Sequence, residues 1–584
     1  MARNNTTEAL NSLLEKTRHY DKDERYMATS DLCAALSTEI RIDEVMEARI
    51  CSAILKQLDD KSNDVQSVAV KCLGTILRKV QQAQVSEICV KLCTLILEGQ
   101  SDLRDIYSIG LKTLIADVPE AMGELVVGRL TARLTFGIKT GQDDVQRECL
   151  DNMTDLLKRF GHLMKKDHES ILSPVITSLD SRKVVIRKRA SVCLAALAVV
   201  ATDNLLFLLM DDLLRRVEGA GSACTSTSDE LSTIIRTVGT VSRTVGYRLG
   251  RCLDRLVPLF LRCCGDPDDE AMHTPAGNDL REHCFPGLES FVLRCPREVT
   301  PHVSAIMNVA VKFMKFDPNY CYDDDEDDEE GEGGDGSGGD EYEEEDYDAD
   351  DDDTSWKVRK AAIKVLRAII QARTEVLQPE VYASLMGELL SRLKEREETV
   401  RLEVLSCLTV LLETTLGRCL ASGVPRISPS SMLPPVPQLS LQRSGSGIHS
   451  PRHHSADHGP ITQVSGQEVP SEVLDYVREK VPLIIKLMHK QLAGQSIKSK
   501  NCVFVLLDVL VKLLEVTTMP STHSTPIYCV PCSIYCVYCM YVFYICITVY
   551  HLYLSLCHIF RRVLDGVRTL SACCDSCTVT RLPF

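Results

Sequence analysis

Three clusters of residues in this chain have types and spacings that could do chemistry. Between Asp323 and Asp353 stand 21 Asp and Glu and no Lys or Arg. Carboxylates serve general acid–base catalysis when a cleft holds them with shifted proton affinities. A run this dense, with Gly331–Gly339 inside it, repels itself and stays solvated. It reads either as a solvated spacer or as an electrostatic lure for a basic partner surface. His449, His453, His454 and His458 would suggest metal, but they sit in a flexible Pro-rich loop without a Cys, and metal is not expected there. Cys529-x2-Cys532 and Cys536-x2-Cys539 resemble zinc knuckles. Only three residues part the two pairs, against about fifteen in zinc ribbons. No P-loop, no G-x-G-x-x-G after a strand, no G-x-S-x-G and no H-E-x-x-H is found. The expectation is therefore a non-enzyme with no catalytic residue, no metal and no cofactor.

What must position any binding surface is a repeat. The chain has 584 residues, more than one ordinary core holds, and only 5% aromatics with a single Trp, which favours aliphatic helix packing over sheets. Short polar turns recur, each followed by an apolar–basic or apolar–amide pair and then an apolar stripe of helical spacing. Instances are Asp23-Glu24-Arg25, Asp64-Val65-Gln66, Asp102-Leu103-Arg104, Asp144-Val145-Gln146, Ile186-Arg187, Leu280-Arg281, Val358-Arg359 and Val400-Arg401, with weaker ones at Leu231 and Ile497. Marked at the residue before the basic or amide position, they fall at 24, 65, 103, 145, 186, 231, 280, 358, 400 and 497. Most steps lie in or near the roughly 40–47 residues of two-helix HEAT or armadillo units. Two steps are long, 78 and 97 residues, and each holds an insertion: the 31 residues 323–353 and the 51 residues 418–468. Without those insertions the steps fall to 47 and 46.

The fold expected is all-α, a HEAT-repeat α-solenoid in which antiparallel helix pairs stack because no single pair can bury its apolar face. The organisation predicted is helical repeats over 1–322, a disordered acidic loop over 323–353, repeats again over 354–417, and a disordered Pro/Ser/His-rich loop over 418–468. A last repeat over 469–517 precedes a Cys/Tyr-rich tail over 518–584. The acidic residue of each motif is expected to cap the second helix of its pair. The basic residue, as in Arg104 and Arg359, is expected to bridge neighbouring repeats. Ala271–Asn278 reads as a lengthened turn, and Pro286-Gly287 predicts a kink or a late helix start, since in a helix interior the two cost about 3 and about 1 kcal/mol.

Charge and cysteine usage narrow the class further. The acidic run exceeds the whole net charge of −16, so the remainder is near neutral and lacks the basic character that nucleic-acid binding needs. Seventeen of the 26 Cys are scattered along the chain before the tail, mostly on apolar faces, and the start of the chain is polar. Both suit reduced thiols in the cytoplasm or nucleus. Ile527–Phe560 has no charged side chain and is long enough to span a bilayer, but it is crowded with Tyr and Cys where a membrane helix is rich in Leu, Ile and Val. It reads as sequence foreign to the fold, such as read-through into an intron. A membrane anchor is the competing reading.

Specific strings add to the period. They are DKDERYMATSDL (Asp21–Leu32), VAVKCLG (Val68–Gly74), LRDIYSIGLKT (Leu103–Thr113), IRKRA (Ile186–Ala190) and LREHC (Leu280–Cys284). They continue with RCPREVTPHVS (Arg294–Ser304), DPNYCYDDDEDDEE (Asp317–Glu330), DDDTSWKVRKAA (Asp351–Ala362) and RLKEREETV (Arg392–Val400). Over roughly residues 10–515 the chain resembles the cullin-associated and neddylation-dissociated protein family, in particular in an acidic loop running straight into S-W-K-V-R. The resemblance implies a non-catalytic scaffold for cullin–RING ubiquitin ligase cores. Family members are similar to a two-armed clamp, about twice this long, around an unneddylated cullin and its RING subunit. The first arm lies on the cullin C-terminal region and covers the neddylation lysine, and the second competes with substrate-receptor adaptors. Only the first arm is matched here. The partners implied are a cullin and its RING subunit, with no nucleic acid, small molecule or membrane expected. The competing function is a karyopherin-like transport receptor for basic cargo. The residues singled out for partner binding are Asp351, Asp352, Asp353, Trp356 and Lys357, at the exit of the acidic loop.

Overall fold

The computed structural model describes residues 2–38, 42–220, 228–269, 273–318, 354–423, 469–494 and 496–518. Among them are helices and turns and no strand. Twenty α-helices fall into ten consecutive pairs. The first helices are α1 (Ala2–Lys16), α3 (Glu44–Gln57), α5 (Gln82–Glu98), α7 (Gly123–Thr140), α9 (His168–Thr177), α11 (Asp203–Ala220), α13 (Leu253–Cys264), α15 (Val303–Met314), α17 (Pro379–Ser391) and α19 (Ser471–Ala493). Their partners are α2 (Lys22–Ser37), α4 (Asn63–Ile76), α6 (Arg104–Asp117), α8 (Asp143–Phe160), α10 (Val184–Val200), α12 (Ser228–Val245), α14 (Pro275–Arg294), α16 (Ser355–Ala372), α18 (Glu398–Gly423) and α20 (Ile497–Thr518). Every one of the ten motifs stands at the start of a second helix. The fold is the all-α HEAT-repeat solenoid that the period predicts.

The chain divides into two compact units, residues 1–376 with 395–403, and residues 377–394 with 404 onward. In the first, each second helix packs on the next, from α2 on α4 through to α14 on α16, and first helices α3, α5, α7 and α9 do likewise. The repeat is visible in the bonds between layers. Asn152 Nδ2 donates to Ser108 Oγ (2.7 Å), the Ser191 and Thr237 hydroxyls meet at 2.6 Å, and those of Ser242 and Ser290 at 2.8 Å. These partners stand 44, 46 and 48 residues apart, one repeat each. In the second unit, Tyr476 Oη donates to the Ala383 carbonyl (3.1 Å), Gln491 Nε2 to that of Leu393 (2.9 Å), and Thr415 bonds the buried Tyr382 hydroxyl (3.2 Å).

The motif residue after the apolar marker has a role that corrects the bridging expectation. It turns back and caps the carbonyls at the end of its own pair's first helix, or of the turn that follows. Arg104 donates to the Ile96 carbonyl (3.0 Å), Gln146 to Ile138 (2.8 Å), Arg281 to Cys264 (3.0 Å) and Arg401 to Glu395 (2.7 Å). The last carbonyls of a helix lack intrahelical donors, and burying one unpaired costs about 1–3 kcal/mol. Arg25, Gln146, Arg187 and Arg359 do both jobs, reaching a neighbouring element as well: Asp60 (2.6 Å), Ser178 (3.3 Å), Thr233 (3.0 Å) and Glu395 (3.0 Å). The acidic residues are also not uniform caps. Asp21 caps α2 through the Asp23 N–H, whereas the starts of α4, α6 and α8 have no side-chain cap; Asp64 and Asp144 stand as charges in the first turn, and Asp105 there pairs with Arg147 (2.8 Å).

The late start predicted at Pro286-Gly287 does not occur; α14 is one helix from Pro275 to Arg294 with Pro286 inside it. The helix begins early instead. Thr274 Oγ1 accepts the Gly277 N–H (3.0 Å), and Pro275 sits in the first turn, where a missing N–H costs nothing. Residues 275–278 are thus helix and not lengthened turn. Pro286 stands on a half-exposed side where water can serve the freed carbonyl. Gly287 faces inward, where a Cβ would lie 2.3 Å from Phe260 Cε1 and where Gly239 of α12 comes close. Tertiary packing therefore selects the glycine that helix propensity disfavours. At the other insertion, α18 continues to Gly423, so 418–423 belong to the helix. The rest of the Pro/Ser/His-rich stretch, the acidic run and the tail beyond Thr518 lie outside the described residues.

The cysteines fit a core role. Twelve of the fifteen described are buried and none is in a disulfide. Burial pushes the thiols of Cys51, Cys89 and Cys193 up to about 12, leaving them un-ionised at neutral pH.

Candidate partner-binding groove

The base of α16 is set by a buried ionic cluster. Arg359 is fully buried; its Nε and Nη2 donate to both carboxylate oxygens of Glu395 (3.0 Å each) and its Nη1 to the Phe316 carbonyl (3.0 Å) and Ser355 Oγ (2.9 Å). Asp317, equally buried, faces Arg359 at 3.3 Å and Arg396 at 3.1 Å. Asn278 Nδ2 reaches Thr354 Oγ1 at 3.3 Å. Phe316 and Asp317 precede the acidic insertion and Ser355 and Arg359 follow it, so one cluster ties both ends of that stretch. This is why 35 residues can intervene between Pro318 and Thr354 without moving α16 off the stack.

With α16 anchored, its other side lines a groove. Trp356 and Lys357 are half-buried in its first turn. Trp356, Lys357, Lys360 and Lys364 face Arg236, Gly239 and Arg243 of α12 across Glu282, His283, Pro286 and Glu289 of α14, around a depression of about 460 Å³. A neighbouring depression of about 550 Å³ shares Arg236, Glu282, His283 and Lys357 and extends to Lys188 on α10. The floor is shallow because Gly239 and Gly287 let α12 and α14 approach closely. Lys357 and Lys360 Nζ each lie 5.9 Å from the Trp356 ring centroid, within cation–π reach. Lys357 pairs with Glu282 at 3.9 Å and His283 with Asp279 at 3.6 Å. Burial raises the Glu289 carboxyl above its ordinary range against the pull of Lys364 and Arg367, and burial lowers the His283 imidazole. The continuous groove carries seven Lys and Arg against four Asp and Glu, an excess of positive charge on a chain whose total is −16.

Of the residues predicted for partner binding, Trp356 and Lys357 come together in this groove, while Asp351, Asp352 and Asp353 lie outside the described residues. The sequence reading missed Arg236, Arg243, Lys360, Lys364 and the carboxylates of α14. The signal was cations seven residues apart on α12 and at 357, 360 and 364 on α16, all at positions off the apolar stripe. No catalytic arrangement or cofactor cradle is built from these groups. Among the described residues no three His, Cys, Asp or Glu converge as metal ligands would, and His449, His453, His454 and His458 fall outside them.

No family model matches the chain. Among curated proteins, cullin-associated NEDD8-dissociated protein 2 of Mus musculus is 35% identical over 512 residues, covering 86% of this chain and 37% of the mouse protein. Cullin-associated NEDD8-dissociated protein 1 of Drosophila melanogaster is 34% identical over 507 residues, 86% of this chain and 36% of the fly protein. The chain belongs to the cullin-associated NEDD8-dissociated protein family. It spans about a third of the length of these relatives. In Emericella nidulans, where the family protein exists as two parts, the N-terminal part is 25% identical over 302 residues, 45% of this chain and 86% of that part. Among solved structures, a mutant of the karyopherin Kap121p superposes with a TM-score of 0.53 at 10% identity, covering 87% of this chain and 42% of Kap121p. At that identity the likeness is one of fold alone: helix pairs stacked as in this family member.

Proposed function

We propose that this chain is a non-catalytic scaffold that binds a cullin–RING ligase core and regulates its assembly. The binding surface would lie on the cullin C-terminal region and the RING subunit, and bound chain would keep the ligating machinery away from the cullin's NEDD8 acceptor lysine. The observation that carries the reading is the 34–35% identity, sustained over 86% of the chain, to proteins named for cullin association and NEDD8 dissociation. The architecture supports it: stacked helix pairs present shallow surface depressions such as those lined by α10, α12, α14 and α16. Affinity along such a surface is a sum of modest contacts, so a protein with further repeats would gain avidity, and adaptor exchange belongs to whatever those repeats supply. The cytoplasm and nucleus are the compartments this role requires.

The test is capture on the immobilised full chain of a purified cullin–RING subunit complex, offered with and without NEDD8 conjugated. Retention of the unconjugated complex with loss on conjugation is expected. Equal retention of both, or of neither, refutes the reading. The karyopherin alternative rests on fold alone, and recovery of Ran with basic cargo in a parallel capture would favour it.

A further inference from the structure

We propose that the groove between α12, α14 and α16 is a docking site for an acidic polypeptide segment carrying an apolar side chain, contributed by a partner protein. The argument begins with charge that the fold does not consume. Arg236, Lys360 and Lys364 make no ion pair with any described residue, although each is half-buried and loses part of its hydration. Cations held together at such a site repel one another, and an anion docked between them would relieve that repulsion.

The geometry selects the kind of anion. The floor bears Glu282 and Glu289, so the positive charge forms two rails with carboxylates between them. A nucleic acid, with an unbroken row of phosphates, would press its charge on those carboxylates. A peptide alternates side-chain carboxylates, which reach the rails, with backbone N–H groups, which can donate to the floor. Trp356 supplies one flat apolar face at the groove's edge, suited to a Leu or aromatic side chain. From Lys188 on α10 to Lys364 on α16 is three helix-to-helix steps, which at about 9 Å each is roughly 27 Å. An extended chain crosses that distance in about eight residues at ~3.3 Å per residue. The occupant is thus a short linear segment and not a folded surface. The inference does not depend on the cullin reading, because it names the chemistry of a segment and is tested without any cullin sequence.

The chain supplies its own reporter, since Trp356 is its only Trp. A fluorescein-labelled twelve-residue peptide of Asp, Glu and Gly with one central Leu is titrated against the full chain at low and moderate salt. Trp356 emission and probe anisotropy are both read. Saturable binding that moves Trp356 emission is expected, weakened at least tenfold by Lys360→Glu with Lys364→Glu and strengthened about threefold by Glu282→Gln. Circular dichroism of the variants should match the parent, since neither lysine touches the core. Absence of binding at low salt overturns the proposal. So does binding that the double reversal leaves unchanged, which would place the peptide elsewhere. Tighter binding of a twelve-nucleotide single-stranded DNA or of phosphatidylserine vesicles than of the peptide, abolished by the same reversal, also overturns it in favour of a phosphate ligand.

Discussion

Arg359 and Lys360 follow one another on α16, yet they stand in two different physical regimes. Arg359 points into the stack, is fully buried, and has its guanidinium surrounded by Glu395, Asp317, Ser355 and a backbone carbonyl. Lys360 points to the groove, keeps part of its hydration, and lies over the Trp356 ring with no ion pair to a described residue. The first charge is committed to structure: without water, only a complete set of partners makes it tolerable. The second is available, because solvent carries its cost until a ligand comes. The step of 100° between successive helix residues separates the two roles, so one turn of α16 both anchors the acidic insertion and edges the candidate binding surface.

That contrast can be broken at either end. Replacing Arg359 with Ala should cost about 3–5 kcal/mol in urea unfolding of the first unit, because Glu395 and Asp317 stay buried without their partner. A loss below about 1 kcal/mol would mean the cluster is hydrated. Gly287→Ala should cost about 1–3 kcal/mol, since its Cβ would meet the Phe260 ring at 2.3 Å, although helix propensity alone predicts a gain. A thermal melt showing stabilisation would refute that packing. Lys360→Glu with Lys364→Glu should change stability by no more than about 0.5 kcal/mol per substitution, because both side chains are half-exposed and lie off the core. A large loss would move them into the structural class with Arg359.

The smallest effect is a pH dependence. Burial raises the Glu289 carboxyl above the value it has in the unfolded chain. The folded state therefore holds that proton more tightly, and stability is lost as pH rises from the unfolded value through the raised folded one. Glu289→Gln should remove this fall, making the variant's advantage over the parent larger at pH 7 than at pH 4. Denaturation midpoints at the two pH values check it, and parallel curves would show that Glu289 does not titrate in that window.

Much of the fold was legible in the sequence because stacking is local. Each pair contacts its neighbours in the chain, so a period near 40 residues and a polar turn before an apolar stripe are written into every repeat, and ten motifs led to ten helix pairs. The same motif hid its own chemistry. Arg104 looks like a surface bridge, but it caps a carbonyl of the preceding first helix, a contact that exists only once the two helices of a pair fold against each other. Pro286-Gly287 shows the opposite error. By propensity the pair ends a helix, but Pro286 falls on a side that water can reach and Gly287 on one where Phe260 leaves no room for a Cβ. Family membership too stood in contiguous strings, and the aligned relatives agree with it.

The groove was legible only in fragments. Trp356 and Lys357 drew notice because they end the acidic run, whereas Arg236 and Arg243 lie over a hundred residues earlier in a stretch with no marked composition. By itself the sequence determined the helix pairs, their number and the sites of insertion, since these depend on patterns within one repeat. Only the tertiary structure decided which cations are spent inside the stack and which are left facing a groove, because burial is a property of neighbouring layers and not of any one helix.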